Sequence, residues 1–494
     1  MIRRSALFLL LAFIVIKTCA QSDRSYRSQL KKFSPEELQS DLRLLKSILE
    51  ANHPSIYWYT PPAAIDSLFV QTFAGIKDSM NELDFKNRVA AYISMIRCGH
   101  TSVRSSRHYS KNSAKDRFPL FPLNIKLWQD SMVVLNNFQP RDSLISRGTR
   151  LLTINGRDAR FFIDFFSQYI SGDGYGKQFA SQLVSGNFGA FYKNILGLDS
   201  SYEISFINRQ GAVEIATLKN ILPADLTPEK NQLTKKVPQL SRRETRRLQL
   251  AQKRSLQFDS SGTTAWMRLG SFSGSGTGRF IRNSFKKINR AGIQHLIIDL
   301  RTNGGGKVSN STLLTRYLSD HEFRVADTVV RNSSKIYYKK YIQQAWFYQL
   351  GLLFSGRQQQ DGRFHFKRFE TKTWAPISKH HFNGSVFLIQ GGYSFSATTL
   401  VLGELKGQKN IRLLGEESGG AYYGNSAMMI PTITLPHSKI RVSLPLFRLV
   451  ANSRRPKGLG IIPDIPVPPS SDAIRKGIDP KIEKIKSLIA GEEK

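Results

Sequence analysis

Cysteine is nearly absent from this 494-residue chain: only Cys19 and Cys98 occur. A disulfide framework is therefore excluded, and a chain of this length relies on its apolar core instead. No H-E-x-x-H or C-x-x-C spacing exists, and the adjacent His380 and His381 point apart, so no metal and no cofactor is expected. Acidic residues are scarce. Lys and Arg number 72 against 37 Asp and Glu, a formal net charge of +35. Such a surface favours adsorption to nucleic acid, acidic polysaccharide or anionic lipid head groups without specifying one. Beyond the N-terminus no apolar run is long enough to cross a membrane.

What is present begins with an export signal. In "MIRRSALFLLLAFIVIKTCAQS", Arg3 and Arg4 form a basic start and Ala6 to Ile16 an apolar stretch too short to span a bilayer comfortably. Thr18 and Ala20 are the small residues before a cut at Gln21. The reading is a cleaved secretory signal and a periplasmic or extracellular protein. The rival is a lipoprotein anchored through Cys19, against which Lys17 spoils the run of small residues.

Two or three domains are expected from the length. "SPEELQSDLRLLKSILE" opens with Ser34 as N-cap, Pro35 in the first turn and Glu37 closing a capping box; Leu38, Leu42, Leu45 and Ile48 follow the helical period. A second helix carries Phe85, Val89, Ile93 and Ile96, ends at Gly99, and leaves His100 at the start of an extended segment. His53, beside a turn proline, reads as structural. From about 117 to 220, "SMVVLNNF" and "TRLLTINGRDARFFIDFF" read as strand, strand, Asn-Gly turn and helix, and "SYEISFIN" with "VEIATL" as a closing hairpin. The stretch "LISRGTRLLTINGRDA" resembles a PDZ-type domain, which would bind an extended peptide by strand addition. The plainer alternative is a small β-rich domain without a ligand.

The charge run Lys235 to Arg254 lacks interleaved aromatics, so it reads as a solvated linker and no specific nucleic-acid partner is expected. From Thr263 onward, short apolar strands ("TAWMRLGSF", "HLIIDL", "SVFLIQ") alternate with helical stretches, an α/β pattern. The aromatic stretch Lys335 to Phe354 is expected to be a helix packed on the sheet, with a lid over a cleft as the alternative. "DPKIEKIKSLIAG" reads as a short surface helix.

The strand "LIIDL" stops in "RTNGGGKVS". A phosphate loop would read G-x-x-x-x-G-K-[ST], but Arg301 stands at the first glycine and Val308 at the Ser or Thr. The dinucleotide pattern fits Gly304 and Gly306 and fails at Ser309. Bare backbone has another use: N–H groups aimed at a developing oxyanion. That use needs a nucleophile. Downstream, the apolar run Val386–Ile389 enters Gly391 and Gly392, and a helical pattern starts near Ala397. Ser396 sits at this junction, where unpaired N–H groups and the helix dipole favour an oxyanion. The plain alternative is that Ser396 only caps the helix and Ser394 only shapes a turn.

"IIDLRTNGGG", "SFSATT" and the upstream "GHTSV" together resemble the C-terminal-processing (tail-specific) serine peptidase family, most of all its tricorn-type branch. "GEESGGAYYGNSA" and "GIIPDIPV" are further landmarks of the resemblance. It implies an α/β multidomain protein: an N-terminal helical region (21–112), a PDZ-like β-rich domain (113–222), a basic linker (223–258), an α/β core of the crotonase-like type (259–470) and a C-terminal helix (471–494), after a leader of residues 1–20. It implies Ser396 as nucleophile, His100 as general base, and an oxyanion hole from the N–H of Ala397 and one from Gly305 or Gly306. The partner it implies is a peptide or unfolded protein.

The chain departs from that family in four places. No lysine stands in "GEESGGAYYG"; Ala421 occupies about the lysine base's place, so a Ser–His pair is required. Gly99 replaces the serine before the histidine, Lys457 or a neighbour stands near the expected glutamate, and Thr399 replaces the usual Glu. Candidates for orienting His100 are Glu416 and Asp464. Asp299 is expected to hold the glycine loop, and Arg301 to pair with a carboxylate. The expected function is a secreted serine endopeptidase, and the alternative a silent peptide-binding protein on the same scaffold.

Overall fold

The computed structural model describes residues 30–113, 118–139, 144–222 and 240–492. The expected export signal with Cys19, and residues 223–239 of the expected basic linker, lie outside the described residues.

Ser34 opens α1 (Pro35–Asn52) through the expected reciprocal cap: the Glu37 N–H donates to Ser34 Oγ and the Ser34 N–H to Glu37 Oε2, at 3.3 and 2.9 Å. Two more helices follow, α2 (Pro62–Ala74) and α3 (Glu82–Ser94). Phe85, Val89 and Ile93 are fully buried along α3, and Ile96 just past its end. A turn with Arg97 at φ +56° then leads through His100 into the short strand β1 (Val103–Arg104).

An inserted unit follows, an antiparallel sheet in chain order: β2 (Leu123–Trp128), β3 (Ser131–Asn137), β4 (Arg150–Ile154), β5 (Ser201–Ile207) and β6 (Val213–Lys219). Its helices α4 (Ala159–Ser167) and α5 (Gln178–Gly186) lie between β4 and β5 in the chain. The aromatics of α4 fill this unit's own core with Phe121, Phe188 and Tyr202.

The exposed basic helix α6 (Arg242–Lys253) runs into β7 (Arg254–Phe258). The α/β unit continues with β8 (Thr264–Leu269), α7 (Thr277–Arg290), β9 (His295–Asp299), α8 (Val308–Leu318), β10 (Thr328–Arg331) and α9 (Ala345–Leu353). Then come β11 (Ser385–Gln390), α10 (Ala397–Leu405), β12 (Ile411–Gly415), β13 (Gly424–Ala427), β14 (Thr432–Thr434), β15 (Arg441–Ser443), β16 (Phe447–Val450), β17 (Ile465–Pro466) and α11 (Pro480–Glu492). The main sheet has the order β17-β12-β11-β9-β8-β7, parallel except for β7. β9 is buried throughout, as a strand covered on both faces must be. Its register sets Asp299 beside Ile389, so the glycine loop and the serine loop leave the same edge of the sheet. This carboxyl-terminal edge is where open α/β sheets place their sites.

Helices α1 to α3 share one hydrophobic core with residues 326–449, and β1 extends the β14-β15 pair as its third strand. His100 is thereby fixed to the α/β unit although it lies far upstream. Two expectations are corrected in part. The aromatic stretch 335–354 is helical over a 3-10 turn (Lys339–Tyr341) and α9; Ala345 and Leu352 pack into the core with Val329, Phe447 and Leu449 of the neighbouring strands, as expected, but Trp346 and Phe347 turn to solvent. The last helix, α11, is not merely superficial: Ile485 is fully buried against the main sheet. Among the described residues no helix is long and apolar enough to cross a membrane.

Candidate active site

Ser396 stands where β11 turns into α10, with φ +57° and ψ −123°. A non-glycine residue adopts this conformation only where its surroundings force it, as at the sharp strand-to-helix turn that exposes a nucleophile. Its side chain makes no capping bond to the helix. Ser396 Oγ instead lies 3.0 Å from His100 Nε2. Burial depresses the His100 pKa to about 4, so the ring is neutral near pH 7 and able to accept a proton. Ser394 is a turn residue: its hydroxyl donates to the Leu300 carbonyl and accepts from the Gly391 N–H.

The glycine loop packs against the serine turn itself. A Cβ on Gly305 (φ +97°) would lie 2.7 Å from Ser396 Cβ and 3.0 Å from the Ala397 nitrogen. A Cβ on Gly306 would lie 2.4 Å from the Ser273 nitrogen. The bare backbone thus accommodates the protein's own chain, the reason a side chain is excluded. Asn303, fully buried, organises the loop. Its Nδ2 donates to the Leu269 carbonyl and its Oδ1 accepts the Gly305 N–H, both at 2.9 Å. Its carbonyl accepts the Phe395 N–H and the Thr398 hydroxyl. The Gly305 N–H is therefore already engaged, while those of Ala397 and Gly306 have no protein acceptor among the described residues. The sequence signal for Asn303 was its place directly before the three glycines. Asp299 holds the start of the loop, accepting from the Arg301 backbone N–H and Nε, and Arg301 also pairs with Asp479.

Neither candidate for orienting His100 reaches it. Glu416 pairs with Lys481 at 3.0 Å, and Asp464 binds Lys406 and the Leu413 N–H. Lys457 donates to the Trp58 carbonyl and lies over the Tyr59 ring. His100 Nδ1 is enclosed without a protein partner among the described residues. The ring is held by other means. Phe395 lies 5.4 Å from it, and Phe179 of α5 lies 4.9 Å from Phe395, so the inserted unit braces the site. The next residue, Thr101, bonds through Oγ1 to Nε2 of the buried His53 at 2.8 Å, the structural place expected for that histidine. Burial lowers the His53 pKa to about 3.

Asp173 was not legible in the sequence. Its Oδ1 accepts the Gly99 N–H at 2.8 Å, and the Ala421 backbone N–H faces the carboxylate and favours its ionised form. One buried carboxyl thus joins the histidine loop to the loop behind Ser396. Burial raises its pKa to about 7, and Oδ2 is enclosed with no protein partner among the described residues. Beside Gly99 a cavity of about 510 Å³ opens between α3 and the inserted unit, lined by Phe179, Leu183, Ile170 and Phe191 with Lys86 and Asn194. Its walls mix apolar side chains with polar ones, among them Asn87, Ser171 and Asn187. His380 is half-buried and bonded to Asn289; no group of three or more His, Cys, Asp or Glu is placed to hold a metal ion among the described residues.

Residues 263–467 match the model of peptidase family S41. Among solved structures, mature CPAF is similar at TM-score 0.61 and 13% identity, over 92% of this chain and 97% of that one. Mature CPAF complexed with lactacystin is similar at TM-score 0.60 and 14% identity, over 92% and 98%. At these identities the likeness is one of fold. No curated protein matches the chain.

Proposed function

We propose that this chain, which belongs to peptidase family S41 of C-terminal-processing serine peptidases, is an exported endopeptidase that works through an acyl-enzyme on Ser396. The observation that carries the reading is the 3.0 Å approach of His100 Nε2 to the hydroxyl of a serine held at positive φ at a helix start. His100 Nε2 takes the Ser396 proton as Oγ attacks the peptide carbonyl carbon. The carbonyl oxygen becomes an oxyanion, and the N–H groups of Ala397 and Gly306 are the donors offered to it. Each such donor contributes about 3 kcal/mol to the transition state. His100 then passes its proton to the leaving amine, and a water, deprotonated by the same nitrogen, hydrolyses the ester. The substrate is a peptide or unfolded segment.

Two further elements belong to this reading. The leader of residues 1–20 directs export and is removed. The inserted unit acts as a PDZ-like peptide-binding domain; its edge strand β6 turns Val213 and Ile215 outward, a ladder suited to strand addition.

The test is labelling with a fluorophosphonate followed by peptide mapping. An adduct on Ser396 that disappears in His100→Ala supports the reading. A folded protein that takes no label favours a second reading, a peptide-binding protein without turnover. The enclosed Nδ1 of His100 favours that alternative, because no partner among the described residues stabilises the imidazolium there.

A further inference from the structure

Helix α9 carries an apolar stripe on its outward side. Trp346, Phe347, Leu350, Leu353 and Phe354 follow the i, i+1, i+4, i+7, i+8 spacing of one helix face. Trp346 is 72% and Phe354 82% exposed, while Ala345 and Leu352 anchor the opposite side in the core. Large aromatics grouped in this way mark a surface that meets something apolar. Tyr337 and Tyr338, on the chain leading to the helix, are also exposed.

The stretch of chain that carries the stripe has charge of one sign. No Asp or Glu occurs from residue 328 to 360. Lys335, Lys339, Lys340 and Arg357 are exposed there, and none has an ion-pair partner among the described residues. On the chain that leads into α9, a cavity of about 310 Å³ is lined by Lys340, Tyr341, Pro436 and the exposed Lys439.

We infer that this face of α9 docks the protein onto an anionic lipid surface. The stripe enters the boundary between head groups and acyl chains, with the helix axis in the plane of the membrane. The lysines reach lipid phosphates, and the cavity between Lys340 and Lys439 seats one head group. Tyr and Trp suit this depth because one part of each ring is apolar and the other polar. A second copy of the chain is a poorer occupant, because an isologous pairing would bring the same cationic rim against itself. A neutral apolar partner would leave the lysines unused.

The experiment is co-sedimentation of the exported protein with vesicles of phosphatidylglycerol mixed into phosphatidylcholine, and with phosphatidylcholine alone. The expected result is binding to the anionic vesicles only, weakening as salt rises. Trp346→Ser combined with Phe354→Ser, and separately Lys339→Glu combined with Lys340→Glu, are each expected to weaken binding at least ten-fold with an unchanged melting transition. Equal binding by these variants, or no vesicle binding by the native protein, overturns the inference. So does a two-chain particle in light scattering that Trp346→Ser with Phe354→Ser converts to one chain. None of these outcomes depends on Ser396 or His100, so the peptidase reading stands or falls separately.

Discussion

Gly99 and Phe395 compete for one space: a Cβ on Gly99 would lie 2.3 Å from Phe395 Cζ. The ring arrives from the serine loop, rests on the His100 ring, and is backed by Phe179. The glycine before the histidine therefore has a physical cause, and a serine there has no room. Gly99→Ser is expected to push Phe395 aside and tilt His100 from Ser396. A displacement of about 1 Å costs about 10²-fold in turnover. Peptide hydrolysis by Gly99→Ser, and partial recovery in Gly99→Ser with Phe395→Ala, check this; full activity in the single variant contradicts it.

Ser396→Ala and His100→Ala are each expected to lower turnover by about 10⁴-fold or more, and the double variant by no more than the worse single one, because the two groups act as a unit. Thermal unfolding of all three should match the native protein. Additive losses would mean that the two side chains work separately.

The pKa of His100, depressed to about 4 by burial, sets an acid limit. A general base must be neutral, so kcat/KM should persist through pH 5 to 6 and fall only near pH 4. The same shift bears on stability. The unfolded ring protonates near 6.5 and the folded one near 4, so this contribution is present above 6.5 and is lost as pH falls toward 4. An acid limb at 6.5 in the pH–rate profile would show that the ring is solvated.

Asp173 shifts in the opposite direction, to about 7. Its folded form keeps a proton that the unfolded chain loses near 3.8, so its contribution to stability is greatest at low pH and is lost as pH rises to about 7. Ionisation would place a buried charge at the joint between the His100 and Ser396 loops. Asp173→Asn keeps an oxygen for the Gly99 N–H, and is expected to preserve turnover near pH 6 while removing an alkaline fall near pH 7. An unchanged pH profile would leave Asp173 with a purely structural role.

Asn303→Ala is expected to cost about 1–3 kcal/mol of stability, since the Leu269 carbonyl and Gly305 N–H lose their buried partner. Gly305→Ala adds strain at φ +97° and a clash with Ser396, and should abolish labelling of Ser396. Chemical denaturation and fluorophosphonate labelling read the two effects. Native labelling in Gly305→Ala would show that the loop has slack.

Periodicity and caps made much of the molecule legible. The capping box at Ser34, the buried face of α3, the Asn155–Gly156 turn before α4 and the buried strand β9 all depend on residues close in sequence. The same patterns were half right at residues 335–354, where Ala345 and Leu352 reach the core but the aromatics do not. An apolar stripe records that a face is greasy, not which way it points, and here the stripe faces outward. The oxyanion donors were half legible: the glycines were evident, but Asn303 consumes the Gly305 N–H, a detail set by side-chain packing.

By itself, the sequence determined the local devices: a glycine loop ending a strand, a serine between a strand and a helix, and a histidine following a packed helix. These arise from backbone geometry and spacing over a few residues. Tertiary structure alone decided that His100 and Ser396 meet across 296 positions, that Asp173 ties their loops together, and that Glu416 and Asp464 serve other partners. The reason is physical. Those contacts follow from three packed units sharing cores, and which residues meet depends on how whole faces dock, which no short stretch of chain encodes.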